Sequence, residues 1–175
     1  PGSLDEFEAS GRVVTAATAT PTASPSQGTL SDDFNRASLG RNWELLANSF
    51  ALRNGTAANP TPWTTAAMRI DPISAGNFSS NQSAYVKWST DPNAEGGQAN
   101  VCVRLSNAFS GYCAILGVDS QWLTIARFSG PNTYTALRYI AHAQSVHAGS
   151  MWHLGLVANG STLTASLYDA SETLV

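Results

Sequence analysis

The side chains able to do chemistry in this sequence are few and scattered. Asp32 and Asp33 stand side by side, and adjacent carboxylates are oxygen donors for a hard cation. Calcium takes about six or more oxygens, so the pair would need help from elsewhere. No cofactor is expected, and calcium (Ca2+) is the one ion these acids could help to hold. His142, His147 and His153 are the only histidines. Two of them lie in or beside the loop AHAQSVHAGS, where zinc would lack further ligands, and they read as surface side chains. No G-x-S-x-G turn exposes a serine nucleophile, and no glycine-rich loop cradles phosphate.

Aromatic side chains are the stronger candidates, because a flat ring stacks on the apolar face of a sugar. Trp43, Trp88 and Trp152 share strand faces with aliphatic residues and are assigned to the core. Trp122 alternates against Leu123 and Ile125, which puts it with Thr124 on the opposite side of its strand. Trp63 sits in NPTPWTT, a proline-flanked loop where no core position is expected. Trp63, Trp122 and Thr124 are therefore the candidate carbohydrate contacts.

Cys102 and Cys113, the only cysteines, flank a hairpin in VCVRLSNAFSGYCAI. A loop of residues 106–109 puts them directly opposite each other, close enough for a disulfide. A loop of residues 107–110 keeps the same faces but makes the pair diagonal, at roughly 7–8 Å, too wide to bridge comfortably. Periodicity alone does not choose between these registers. A bridge would imply an oxidising final location.

The elements that must position these residues are strands. In MWHLGLVANGSTLTASLYD, Trp152, Leu154, Leu156 and Ala158 alternate with more polar neighbours, and Leu163, Ala165 and Leu167 alternate after Asn-Gly. Two period-two runs joined by Asn-Gly are the strongest short hairpin signal. Similar runs occur in SAYVKWST, QANVCVRLS, GYCAILGV, QWLTIARF and TYTALRYIA. About ten strands are expected, with no segment at helical spacing over three turns, so the fold class is all-β: an antiparallel sandwich or jelly roll. Residues 1–28 differ. Their TAATATPTASPSQG is too poor in apolar area to fold alone, and they read as a low-complexity arm or linker ahead of a sandwich over residues 29–175.

The 175 residues hold one domain plus an appendage. A net charge of −3 gives no electrostatic footprint for nucleic acid or an anionic membrane, and no stretch reaches the roughly 18 apolar residues of a membrane span. The first thirty residues lack the charged start and apolar run of a secretory signal.

DDFNRASLGRNWELL resembles the first-strand signature of concanavalin A-like (laminin-G-like) β-sandwich domains of actinobacterial proteins and phage tail or fibre proteins. GYCAIL resembles their Gly-Tyr-x-Ala-x-Leu strand, and GSMWHLGLVANGSTLTASLYD their tryptophan strand, turn and partner strand. The resemblance implies a sandwich in which Phe34 enters the core, Gly40 makes a tight turn and Trp43 starts the next strand. The superfamily's laminarinase-type hydrolases carry Glu-x-Asp-x-Glu, three carboxylates on one strand face. Here Glu44, Glu95 and Glu172 each lack a second acid two residues away, so enzymatic activity is not expected.

The functional expectation is a non-enzymatic structural or adhesion protein at a virion surface or elsewhere outside the cell. Its arm would contact other subunits of an assembly and its sandwich would meet a glycan. The alternative is a secreted carbohydrate-binding module of a larger enzyme. In such sandwiches the first strand pairs with the last, yet the chain stops at Val175 as a further strand should begin. A gap beside residues 31–35 is therefore expected, filled by later residues or by a neighbouring chain's strand, with GRVVTAAT as the donor.

Overall fold

A computed structural model describes residues 2–13, 27–61, 66–70, 78–90, 98–117, 122–141 and 149–175. Among them are thirteen strands and no helix. They are β1 (Gly2–Val13), β2 (Gln27–Asp32), β3 (Trp43–Ala47), β4 (Ala51–Arg53), β5 (Thr56–Ala58), β6 (Ala67–Ile70) and β7 (Phe78–Thr90). The remainder are β8 (Gln98–Val103), β9 (Ser110–Gly117), β10 (Trp122–Gly130), β11 (Thr133–Ala141), β12 (Met151–Asn159) and β13 (Thr162–Tyr168). The chain is all-β, and every strand pairing is antiparallel.

Alternation decides the architecture. One sheet runs β13-β12-β7-β1-β5-β4, with β2 also on β1, and a second runs β11-β10-β9-β8. Their facing sides meet in one core: Ala84, Val86 and Trp88 of β7 with Trp152, Leu154 and Leu156 of β12, against Val101 and Val103 of β8, Ala114 and Leu116 of β9 and Leu123 of β10. Burying these side chains between two layers supplies the main driving force, about 1.5–3 kcal/mol for each large aliphatic or aromatic one. The residues assigned to the core, Trp43, Trp88 and Trp152, are 7%, 1% and 4% exposed.

The second sheet is covered on its outer side as well. β3 and β6 pair as a small sheet, fastened by the cross-strand ion pair Glu44–Arg69 at 2.5 Å. Leu46 of β3 and Ala67 of β6 pack on Cys113, Ile115, Ala126 and Phe128. What orients β3 is the phrase DDFNRASLGRNW. Asp32, 8% exposed, accepts hydrogen bonds from the Phe34 backbone N–H (2.8 Å), both terminal nitrogens of Arg36 (2.5 and 2.6 Å) and Trp43 Nε1 (2.5 Å). Arg36 also donates to the Leu39 carbonyl. Gly40, at φ +77°, turns the chain where a Cβ would press on the Arg36 Nε at 3.3 Å. Phe34 is fully buried against Trp43, ring centres 5.6 Å apart.

The expected arm of residues 1–28 is in part a strand of the larger sheet. Gly2–Val13 lies between β7 on one flank and β2 with β5 on the other. Residues 14–26 lie outside the described residues. On one flank the gap expected beside the first strand is filled within the chain, Phe7–Arg12 pairing with Gln27–Asp32, while among the described residues no strand pairs with the other flank of β2. The donor is mostly GSLDEFEASG rather than GRVVTAAT, and β2 pairs with β1, not with the last strand. Beyond β13, Asp169 Oδ1 accepts from the Ser171 and Thr173 backbone N–H groups, and the Val175 N–H donates back to the Leu167 carbonyl.

The β12–β13 hairpin forms, but one residue off the expected turn. Asn159 pairs with Thr162, so Gly160 and Ser161 make the turn, with Gly160 at φ +56°. At β8–β9 the register puts Cys102 directly opposite Cys113, and the two are disulfide-bonded. Gly111 is required there because a Cβ would meet the Arg104 carbonyl oxygen and the Leu105 Cα at 2.9 Å, both backbone.

Burial alone would raise the Asp32 pKa, but the hydrogen bonds from Arg36, Trp43 and the Phe34 N–H, with the Arg36 charge, hold it below the usual 3.8. A depressed carboxylate stabilises the fold above its unfolded pKa and loses that contribution as pH falls through the folded value, so the loss begins below about pH 4. Urea midpoints recorded between about pH 6 and pH 2.5 should fall more steeply for the parent than for Asp32→Asn. At neutral pH, Asp32→Ala, which strands Trp43 Nε1 and Arg36, should cost about 3 kcal/mol. Separately, reducing Cys102–Cys113 opens a loop of sequence separation 11, which should lower stability by about 3 kcal/mol, read as a shifted denaturant midpoint under reducing conditions.

Candidate functional site

The outer side of the second sheet is built in cross-strand rows. Thr124, Ala126 and Phe128 of β10 stand beside Ile115, Cys113 and Gly111 of β9, and beside Tyr139, Ala136 and Tyr134 of β11. Over β9 and most of β10 this side is closed by Leu46, Ala67 and Phe109. Over β11 the cover stops. Trp122 is 53% exposed, Tyr139 61% and Tyr134 50%. Trp122 and Tyr139 meet edge to face, ring centres 6.4 Å apart and planes at 84°, and Tyr134 stacks on Phe128 at 5.2 Å.

The candidate contacts named from sequence divide three ways. Trp122 is exposed on the outer side, as its alternation implies. Thr124 shares that side but is only 9% exposed. Its hydroxyl therefore has little surface to offer a ligand, and it stands beside Tyr139, its cross-strand partner. Trp63 lies outside the described residues, and the structure brings nothing to it.

Tyr134 and Tyr139 are functional candidates that sequence reasoning missed. Five positions apart, simple alternation sends them to opposite sides of β11. A bulge at Leu137 shifts the register between Ile125/Arg138 and Ala126/Ala136, and both rings end on the outer side. The signal available in TYTALRYIA was its wealth of exposed-type aromatics without an aliphatic alternation.

The acids are occupied elsewhere. Both oxygens of Asp32 face donors, Asp33 Oδ1 accepts the Asn35 backbone N–H, and Glu44 is held by Arg69. Calcium at Asp32 would have to displace a guanidinium and an indole. Among the described residues no group of three or more His, Cys, Asp or Glu side chains is placed to hold a metal ion. His153 Nδ1 lies 3.8 Å from Glu172 Oε1, while His142, His147 and Glu95 lie outside the described residues. What the outer side can do is present aromatic faces and edges on a rigid sheet, a binding chemistry rather than proton transfer.

Because both rings are more than half exposed and meet each other edge to face, Trp122→Ala and Tyr139→Ala should each cost about 1 kcal/mol. Trp88→Ala, in the core, should cost about 3–5 kcal/mol in the same urea titration.

Compared with known proteins, the chain matches no family model, no curated protein and no solved structure.

Proposed function

We propose that this protein is a non-enzymatic adhesion or structural β-sandwich of the concanavalin A-like kind, displayed at a virion surface such as a phage tail, fibre or capsid, and that it holds host glycans on the outer side of its second sheet. One observation carries the reading: Trp122 and Tyr139, more than half exposed and set edge to face, stand on adjacent strands of a sheet whose opposite side is core. Rings held this way bind with little loss of side-chain freedom, since the strands beneath them are already fixed. Sugars suit them because the axial C–H groups of a pyranose match an indole or phenol face.

A second reading, a secreted carbohydrate-binding module of a larger enzyme, is favoured by the disulfide. Cys102–Cys113 fits a protein that works in an oxidising space, and the Ser/Thr/Pro-rich stretch of residues 15–28 is of linker composition. Both readings use the same aromatic surface.

A glycan array printed with neutral and charged bacterial-surface oligosaccharides tests the shared claim. The parent should bind a subset, and Trp122→Ala and Tyr139→Ala should each weaken it by about tenfold, roughly the worth of one stacked ring. Binding that survives both changes would remove the surface named here.

A further inference from the structure

The inner side of the second sheet ends differently from its middle. Reading the registers across, one row is Ala99, Leu116, Leu123 and Ile140, and the next is Val101, Ala114, Ile125 and Arg138. The third is Val103, Tyr112, Arg127 and Thr135. The alternation that buries Leu123 and Ile125 thus delivers Arg127 to the core-facing side, at the end where the two layers part. There the β12–β13 turn stands opposite, and a cleft of about 620 Å³ opens between the layers. Arg104, Tyr112, Arg127, Leu137, Ser161 and Leu163 line it.

Two guanidinium groups in one cleft favour a counter-charge, and none of the described residues that line it is acidic. Arg104 spends Nε on the Ser80 carbonyl (2.7 Å) and Nη2 on the Gly160 carbonyl (2.5 Å). These neutral acceptors hold the side chain in place without cancelling its charge. Arg127 is exposed and makes no hydrogen bond or ion pair among the described residues. None of the strands β7 to β13 contains Asp or Glu; Asp91, Glu95 and Asp119 fall between strands, outside the described residues. The cleft is lined by two guanidinium groups and, among the described residues, by no carboxylate, so its field favours an anion.

From this we infer that the cleft is an anion site for an acidic oligosaccharide, with Arg127 and Arg104 taking a carboxylate or sulfate of the sugar. A guanidinium presents paired N–H donors that match the two oxygens of such a group. Arg104, anchored by two carbonyls, is already oriented, while Arg127 is the adjustable partner. Tyr112, Leu137 and Leu163 offer apolar contact to the ring that carries the charge, and the Ser161 hydroxyl can bond a sugar oxygen. The volume suits one or two sugar residues. The choice of a sugar rests on the glycan reading above. The site itself is separate from Trp122 and Tyr139, which lie on the other side of the sheet.

The test is isothermal titration of the full chain with a hexagalacturonate, a heparin-derived hexasaccharide and neutral maltohexaose. At least one of the acidic sugars should bind, and which one does assigns carboxylate or sulfate, while maltohexaose should fail to displace it. Affinity should drop by about tenfold in Arg127→Ala and by less in Arg127→Lys, which keeps the charge but not the fork. It should also fall as salt rises from about 20 to about 200 mM. Ser161→Glu, an exposed turn position, should weaken binding comparably without disturbing the fold, and Trp122→Ala should leave it unchanged. If neither acidic sugar binds, if Arg127→Ala binds as well as the parent, or if an acidic peptide outcompetes both sugars, the inference is overturned. Loss of array binding in Trp122→Ala with no effect of Arg127→Ala would leave the aromatic reading standing and remove this one. The reverse pattern would do the opposite.

Discussion

The carboxylate of Asp32 is the contact on which the arrangement of this protein turns. It is buried, and burial of an ion is unfavourable unless donors replace the lost water. Here a guanidinium, an indole and a backbone amide do so together. Because those donors come from Phe34, Arg36 and Trp43, one side chain fixes the exit of β2, the loop after it and the start of β3. Where β3 starts decides where Leu46 falls, and with Ala67 it covers the middle of the second sheet's outer side. The aromatic surface is what that cover leaves open. A change at Asp32 therefore bears on the site through the placement of a small two-stranded sheet, although it touches no ring of the site.

The two edges of the second sheet are managed by different means. At one edge β8 is tied covalently to β9 through Cys102–Cys113. At the other, β11 is exposed along almost its whole length, and unpaired strand edges invite association. The bulge at Leu137 interrupts its ladder and Arg138 places a charge on its inner side, both devices that discourage edge-to-edge pairing. The same bulge gathers Tyr134 and Tyr139 onto one side. One irregularity thus serves both solubility and the shape of the surface.

Much of the fold was legible because alternation and burial coincide. Leu154, Leu156 and Ala158 read as core from their spacing and are core. Trp122 read as outward and is outward. Three things were hidden, each for a local reason. The strand Gly2–Val13 carries acids and small residues in place of an apolar alternation, so nothing in its composition announces a sheet position that backbone pairing with β7 creates. The disulfide depended on a register shift of one residue, invisible to a period of two. The tyrosines of β11 were separated by an odd spacing that only a bulge reconciles, and bulges have no reliable signature in one sequence. Thr124 erred in the opposite sense: the side was right, but the short side chain is buried where the tryptophan is exposed.

The central proposal is that neutral glycans are recognised on the exposed rings of the second sheet and not at any of the buried ones. Its most direct test is the indole region of a ¹H–¹⁵N correlation spectrum, which carries one Nε1–H signal for each of the five tryptophans. These signals would be followed while a neutral oligosaccharide selected on the array is added. The account predicts that the Trp122 signal moves in proportion to bound ligand while those of Trp43, Trp88 and Trp152 stay in place. A titration that saturates with Trp122 unmoved, or that shifts Trp43 instead, would contradict it.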